Sequence, residues 1–299
     1  MTEPSPPSAV PPDDASAVYA LGRSESESAR LQRQATELAA DSAALLDRVG
    51  LRSGQSAIDL GCGPSGVLDL MAERVGPAGR VVGLDADPAH VAMAEQFVAQ
   101  RGLSWVDIVA ADASSTGLPT GSFDVVHART LLVNLPDPAD VVAEMTRLAR
   151  PAGWVVSAEP DTEHALCYPP NAAFDRLRDI FTVAFSRNGA DPWIGRRVPE
   201  LFRQAGLEEV QVEATVQMYP PGHSRRTVRI DLVRSMRSQV LELGLAGSAE
   251  LDELDSVARA HIDDPRTVVM TGLLFLTWGQ RPATRAARQA GSGGFAATC

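Results

Sequence analysis

The sequence has no lysine, so all 27 of its basic residues are arginines. Only lysine can become a neutral amine at moderate cost, whereas the arginine guanidinium stays protonated in proteins. The absence excludes Schiff-base chemistry, a lysine general base and the phosphate-binding lysine of Walker-type nucleotide sites.

Cysteine is scarce as well: only Cys62, Cys167 and Cys299 are present, at spacings that match no metal-ligand pattern. An odd number at unrelated positions argues against a disulfide framework. The first residues also lack the basic start and apolar core of a secretory signal. We therefore expect a reduced, cytoplasmic protein.

Long apolar runs and an excess of positive charge are also absent. No stretch approaches the roughly 18 apolar residues that a membrane-spanning helix needs, so no membrane role is predicted. The formal net charge of −11 would repel a phosphate backbone and argues against nucleic acid as a partner. A small molecule is the expected partner, and association into a homo-oligomer stays open.

The 299 residues divide into two tails and a longer patterned region. Residues 1–14 are rich in proline and serine, and residues 283–299 show no core-forming pattern, so both are predicted to be flexible tails. Between them, apolar segments alternate with helical ones. Five are predicted to be strands: Ala57–Leu60, Val81–Leu84, Val106–Ala110, Phe123–Ala128 and Trp154–Ala158. Strands separated by helices imply a parallel sheet.

The alternation loosens in the second half of the chain. Residues 160–195 are predicted to contain a helix near Ala172–Phe185 and no strand, and residues 224–261 a long helical insertion. Val210–Met218 and Val268–Trp278 predict two further strands, the second of them antiparallel at the sheet edge. The predicted fold class is α/β, with a doubly wound, mostly parallel sheet of seven strands.

A glycine-rich turn follows the first predicted strand, in AIDLGCGPSG at residues 57–66. Gly61, Gly63 and Gly66 fit the dinucleotide fingerprint G-x-G-x-x-G, which by itself leaves the ligand open. Asp59 would oppose a pyrophosphate at the N-terminus of the next helix. It suits a ligand that carries an ammonium or sulfonium group.

Two further acids end the second and third predicted strands. Asp85 can accept from the two hydroxyls of a ribose, as also happens in NAD sites, and Asp112 can accept from the amine of adenine. Because neighbouring parallel strands end at one crevice, the acids favour a nucleoside without phosphates. An NAD-dependent oxidoreductase with the same glycine pattern stays open as an alternative.

These features resemble the class I S-adenosylmethionine-dependent methyltransferases over about residues 15–282, especially the actinobacterial small-molecule type of specialised-metabolite biosynthesis. The resemblance rests on DLGCG and on five later motifs in the same order and spacing: GLDAD (83–87), AADA (110–113), SFDVVHAR (122–129), NLPDP (134–138) and LARPAGWVVSAEPD (148–161). It implies a Rossmann-like methyltransferase fold and S-adenosylmethionine as the cofactor.

The resemblance also implies an organisation of the chain. A helical lid would occupy residues 15–50, since YALGRS (19–24) and RLQRQA (30–35) look like the lid of that type. A methyltransferase domain would span residues 51–282. Its insertions near 160–195 and 222–263 would roof the acceptor pocket.

The cofactor site is carried over from the same resemblance. The residues that would hold the cofactor are Tyr19, Gln34, Asp59, Gly61, Cys62, Gly63, Asp85, Ala86, Asp112, Ala113, Ala128 and Arg129. Tyr19 and Gln34 would close over the cofactor from the lid, and Arg129 would lie beside the sulfonium. Cys62 could instead be only a small residue in a tight turn, and Arg129 a solvated surface residue.

Three residues near strand ends are candidates for a general base: Glu159, His164 and His127. His127 could instead be a satisfied core histidine, and Glu159 could bridge a loop. Methyl transfer is an in-line displacement in which alignment supplies much of the rate, so a base is optional. No metal site is predicted, because HARTLLVN (127–134) has no carboxylate and Glu159 with Asp161 are too few.

The two insertions are rich in aromatic residues and methionine, which favours an apolar organic acceptor. Five arginines in and near them leave room for an acidic substituent, although a charged surface is the preferred interpretation: Arg196, Arg197, Arg225, Arg226 and Arg229. The predicted function is metal-independent methylation of oxygen or carbon in a small, largely apolar metabolite. A catalytically silent nucleoside-binding module is a further alternative.

Overall fold

A computed structural model describes the chain from residue 25 to residue 283, and the predicted tail at 1–14, nearly all of that at 283–299, and Tyr19 lie outside the described residues. The helices are α1 Glu25–Glu37, α2 Ala39–Arg48, α3 Leu68–Val75, α4 Pro88–Gln100, α5 Pro138–Leu148, α6 Ala172–Arg187, α7 Ile194–Gln204, α8 Val228–Ser235, α9 Arg237–Glu242 and α10 Ser248–Asp263. The strands are β1 Ser56–Leu60, β2 Arg80–Asp85, β3 Val106–Ala110, β4 Phe123–Arg129, β5 Ala149–Asp161, β6 Leu166–Tyr168, β7 Glu208–Met218 and β8 Val268–Gln280.

The strands form one sheet in the order β3-β2-β1-β4-β5-β8-β6, and β7 also pairs with β8. The strands from β3 to β5 in this order are parallel, whereas β8 runs antiparallel to β5, β6 and β7. The α/β class and the mostly parallel sheet predicted from the sequence are confirmed. The strand order reverses between β1 and β4, and such a reversal opens a crevice at the carboxyl ends of the strands.

Both faces of the sheet are covered by helices. In β1, Ile58 and Leu60 belong to the apolar cluster that includes residues of α5 to α10. Ala57 belongs to the opposite cluster, with residues of α2, α3 and α4. Burial on both faces explains why the central strands β1, β2 and β4 are nearly continuous apolar segments rather than alternating ones.

The sheet differs from the prediction in two respects. It has eight strands rather than seven, because β6 lies within residues 160–195, where no strand was predicted. Leu166 and Tyr168 of β6 are exposed and only Cys167 is buried, so three residues give no usable pattern. The placement of β8 at the edge is also wrong: residues 273–280 of β8 pair with β5 on one side and with β7 on the other, and residues 268–270 of β8 pair with β6. Its antiparallel direction is confirmed.

The insertion at 224–261 is broken into several short helices rather than one long one. A 3₁₀ helix, Ser224–Thr227, leads into α8, and α9 and α10 follow. Together with α6 these helices cover one end of the sheet. Within the described part of the chain, no helix combines the length and the apolar character that crossing a bilayer requires.

Candidate functional site

The glycine-rich turn joins β1 to α3 at the point where the strand order reverses. Gly61 and Gly63 have φ angles of +67° and +55°, which are unfavourable for residues with a side chain. A Cβ at Gly63 would meet no described atom within 4 Å, so this part of the backbone is open. A Cβ at Gly66 would lie 2.1 Å from Oδ2 of Asp59, so that glycine is needed for close packing.

A cavity of about 490 Å³ begins at this turn and extends beneath α6 and α8. Most of the predicted cofactor residues line it together: Gln34, Gly61, Gly63, Asp85, Ala86, Asp112, Ala113 and Arg129. The acids that end β2 and that follow β3 are therefore brought to one crevice, as the parallel sheet predicted. Asp59, Cys62 and Ala128 are buried and do not line the cavity.

Asp85 is held by the backbone on both sides. One carboxylate oxygen accepts from the N–H of Gly63 at 2.8 Å, and the other accepts from the N–H of Asp87 at 2.9 Å. Burial alone would raise its pKa, but the hydrogen bonds from His90 and from these two N–H groups outweigh burial and lower the pKa. Asp85 therefore presents a fixed, ionised acceptor to the cavity.

Asp59 lies beneath the turn and not in the crevice. It is 2% exposed, its Oδ1 lies 2.7 Å from Nδ1 of His127, and its Oδ2 accepts from the N–H of Val67 at 3.1 Å. The expectation that Asp59 faces a cationic group is therefore wrong, because its carboxylate ties the turn and α3 to β4. His127 is fully buried and does not line the cavity, so the geometry favours a core histidine, with Nδ1 paired to Asp59 and Nε2 without a partner among the described residues.

Cys62 has a structural role in the same turn. Its N–H donates to the carbonyl of Leu84 at 2.9 Å, which joins the turn to β2. Burial raises the thiol pKa well above its usual value, and the nearby charges of Asp59 and Asp85 raise it further. The thiol is thus neutral and buried, and the small-residue alternative fits it better than contact with a ligand.

Glu159 organises the loop that follows β4. Its carboxylate accepts from the N–H groups of Leu131 and Leu132, both at 3.0 Å, and from that of Val133 at 3.2 Å. Burial raises its pKa to about 8 in spite of these three bonds. Glu159 is fully buried and does not line the cavity, so the loop-bridging alternative fits it better than the role of a direct general base.

His164 is exposed and does not line the cavity, although the neighbouring Asp161 does, so its role as a base stays a prediction. With Asp161 and Glu163 it forms a group whose possible ligand atoms lie within 4.8 Å of one another. The guanidinium of Arg196 already pairs with both carboxylates of this group. A cation thus neutralises these acids, and the expectation that no metal is needed stays a prediction.

Arg129 joins three parts of the site. It is buried at the end of β4, donates to Oγ of Ser42 at 2.9 Å and donates to the carbonyl of Gly66 at 3.0 Å. Burial lowers its pKa. The interpretation of Arg129 as a solvated surface residue is therefore wrong, because its guanidinium connects α2, the glycine turn and β4 at the wall of the cavity.

The N-terminal helices close one side of the cavity. Leu31, Gln34 and Leu38 line it, and Nε2 of Gln34 lies 3.4 Å from Oγ1 of Thr130. At the end of α1, Glu37 accepts from Arg225 at 3.2 Å. The helices that precede the sheet are thus attached to the roof that follows it.

A family model described as a methyltransferase domain matches residues 58–157, which contain the glycine turn and the strand-end acids. The demethylmenaquinone methyltransferase of Anoxybacillus flavithermus is 32% identical over 180 residues, which are 56% of this chain and 76% of that enzyme. The chain belongs to the S-adenosylmethionine-dependent methyltransferases. The NAD-dependent oxidoreductase alternative is thereby set aside.

Two further comparisons agree with this assignment. The nocamycin O-methyltransferase of Saccharothrix syringae is 46% identical over 111 residues, 37% of this chain and 40% of that enzyme. A crystal structure of an S-adenosylmethionine-dependent methyltransferase from Aquifex aeolicus covers 87% of this chain and 100% of its own, with a TM-score of 0.53 and 16% identity. This likeness supports the fold. The chain matches less than half the length of some curated relatives: 46% of a 37.1 kDa protein of Streptomyces fradiae and 40% of the nocamycin enzyme.

The cofactor of this methyltransferase is S-adenosylmethionine, and the chemistry of the crevice fits it. Asp85 and Asp112 offer carboxylate oxygens to hydroxyl and amine groups, while the open backbone at Gly63 allows close approach. Asp87 adds a third acid to the same end of the cavity, which would repel a pyrophosphate. A nucleoside with a positive charge and without phosphates suits this donor set.

The other end of the methyltransferase cavity is apolar. Phe181 and Phe185 of α6 stack with their ring centres 4.9 Å apart, and both line the cavity with Leu232 of α8. Two of the arginines predicted to form a charged surface, Arg226 and Arg229, are instead buried. Their long side chains are buried because α8 packs directly on α6 and the 3₁₀ helix.

Several residues that line the cavity were not predicted from the sequence. Thr130, with a φ of +49°, directly follows β4, and the rule that strand ends carry ligands would have found it. Gln217 and Thr271 line the cavity from β7 and β8. No sequence signal marks these two, because their position depends on β8 lying inside the sheet.

Proposed function

We propose that the chain transfers a methyl group from S-adenosylmethionine to an oxygen or carbon atom of a small, largely apolar metabolite, without a metal ion. One observation carries the proposal: a single cavity joins the glycine turn and Asp85 to the apolar end at Phe181 and Phe185. A cofactor and an acceptor can thus lie in one cavity. We place the acceptor in specialised metabolism.

When bound, S-adenosylmethionine supplies an electrophilic methyl group on a sulfonium. In our proposal Asp85 binds the ribose hydroxyls, the strand-end segment at Asp112 and Ala113 borders the adenine, and the turn at Gly61 and Gly63 admits the methionine moiety. These residues fix the direction of the cofactor. Alignment of the methyl group with the acceptor atom would then contribute much of the rate.

The absence of the three predicted bases from the cavity wall supports a reaction that depends on alignment. Among acceptors of this kind, an acidic enol or a carboxylic acid needs no side-chain base, since it is already ionised at neutral pH. The names of two relatives support a small-molecule acceptor, and the second of them supports oxygen as the acceptor atom. One is a demethylmenaquinone methyltransferase and the other a nocamycin O-methyltransferase.

The proposal is tested with S-adenosylmethionine labelled in its methyl group. The protein is incubated with extracts and purified products of its neighbouring genes, with and without a chelator, and labelled products are identified by mass spectrometry. We expect label on oxygen or carbon of an apolar small molecule, with equal yield in the chelator. Label on a protein or nucleic acid, or a yield restored only by magnesium, would contradict the proposal.

A further inference from the structure

Arg229 is a buried cation at the apolar end of the cavity. It is 4% exposed, lines the cavity from α8, and its guanidinium carbon lies 4.3 Å from the centre of the Phe181 ring. Nη2 makes one long hydrogen bond, to the carbonyl of Thr271 at 3.5 Å. Nε and Nη1 have no hydrogen-bond partner among the described residues. Most of the five N–H donors of this guanidinium are therefore unused.

The charge of Arg229 has no counter-ion in the described part of the chain either. Burial lowers its pKa to about 10, and the like charge of Arg178 lowers it further. A group with this pKa is still protonated at pH 7. A buried cation without a partner destabilises the protein, so the position is expected to have a function that offsets this cost.

Arg226, three residues earlier, differs although it is equally buried. It is 3% exposed, but its guanidinium donates to the carbonyls of Ile262 at 2.6 Å and Thr267 at 2.7 Å. It does not line the cavity. Arg226 therefore joins α10 and the residue before β8 to the 3₁₀ helix, whereas Arg229 faces the space where the acceptor would lie.

We propose that Arg229 binds an oxyanion of the acceptor, so that the acceptor is an organic acid with an apolar body. The inference rests on the proposed function, because it names the substrate class for the same cavity. The planar guanidinium matches a carboxylate or the ionised oxygen of an acidic enol. The ring of Phe181 lies against the guanidinium in a cation–π contact. In an apolar surrounding such a pair is stronger than in water.

The binding test uses two pairs of apolar probes on the protein loaded with S-adenosylhomocysteine. The pairs are 2-naphthoate with 2-naphthamide, for a carboxylate, and 4-hydroxycoumarin with coumarin, for an acidic enol. We expect calorimetry to show about 10- to 100-fold tighter binding of the acid in at least one pair, as charge-assisted hydrogen bonds provide. The pair that responds identifies the kind of oxyanion.

Two variants locate the effect. Arg229→Gln should abolish the preference for the acid, whereas Arg178→Gln should keep it, since Arg178 already pairs with Asp175 and Asp179. Both variants should bind S-adenosylhomocysteine like the original protein. Equal affinities within both pairs, no binding of either acid at millimolar concentration, or an unchanged preference in Arg229→Gln would overturn the inference.

A stability measurement keeps the inference testable if Arg229→Gln folds poorly. Arg229→Met should raise the melting temperature of the ligand-free protein, because it removes an unpaired buried charge, whereas Arg226→Met should lower it. A fall of similar size in both variants would show that Arg229 is only structural. Failure of the original protein to bind S-adenosylhomocysteine would instead count against the proposed function.

Discussion

Asp85 is the residue whose role in the site is most narrowly defined by its contacts. Its two oxygens are fixed by the N–H groups of Gly63 and Asp87, and its lowered pKa keeps it ionised at neutral pH. We expect Asp85→Asn to weaken S-adenosylhomocysteine binding by about 1.5–3 kcal/mol, or roughly 10- to 150-fold, because charge-assisted bonds to the ribose are lost. Calorimetry measures the change. Asp107→Asn, on the outer strand β3, should leave the affinity unchanged.

A second prediction concerns Glu159 and the pH dependence of the free energy of unfolding. Its pKa rises from a usual value of about 4.3 in the unfolded chain to about 8 in the folded protein, because of burial. The folded state therefore retains a proton that the unfolded state releases. The contribution of this proton to the free energy of unfolding is fully present below pH 4. It is lost as the pH rises towards 8, by up to about 1.4 kcal/mol per pH unit.

The measurement is urea unfolding between pH 5 and pH 8.5. In Glu159→Gln the free energy of unfolding should vary less with pH than in the original protein, whereas Glu253→Gln, at an exposed position, should follow the original curve. Parallel curves for Glu159→Gln and the original protein would refute a protonated Glu159. The residue would then be held ionised by the three N–H groups of its loop.

At this scale the sequence predicted which residues of the turn and the strand ends share a cavity, but not where Glu159 and Arg229 lie. Asp85, Asp112 and the glycines are set by local rules, since a strand end or a tight turn needs only its own neighbours. The role predicted for Glu159 does not fit its position, because a carboxylate at a strand end can turn towards its own loop. The charged-surface interpretation of Arg229 was wrong, because the burial of a long side chain depends on elements far away in the chain.

At the scale of elements, α1 is predicted to act as a lid. It lines the cavity through Leu31 and Gln34, and Leu38 directly after it does so too, so a bound ligand should hold it in place. Hydrogen exchange of its amides should slow on addition of S-adenosylhomocysteine, by up to about 100-fold at 100 times Kd. Amides of α10, which does not line the cavity, should exchange at unchanged rates. Equal slowing in both helices would indicate a general stabilisation and no lid.

The elements themselves were predictable where they were long and periodic. β3 has the predicted bounds, Val106–Ala110, and α4 begins at Pro88 with Asp87 capping it, as a proline in the first turn suggests. β6 is too short for a pattern, and the position of β8 within the sheet follows from pairing that a single segment does not encode. Its apolar character on both faces was the one available signal.

For the whole molecule, ligand binding should appear as thermal stability. S-adenosylhomocysteine at 100 times Kd adds about 2.7 kcal/mol, which corresponds to a rise of roughly 4–5 °C in Tm for a chain of this size. NAD at the same concentration should leave Tm unchanged, because the acids of the crevice repel its pyrophosphate. A scanning calorimeter measures both. An equal rise with NAD would show that the crevice does not discriminate against phosphates.

The position of β8 in the chain has a consequence for the making of the protein. β8 is the shared partner of β5, β6 and β7, yet it is translated after all of them. At ordinary rates of about 5–20 residues per second, the nascent chain therefore leaves the ribosome with an unpaired β5 edge for several seconds or more. During that interval the exposed edge is open to pairing with other chains. We therefore expect faster synthesis or chaperone binding to alter the yield of this enzyme more than its final stability.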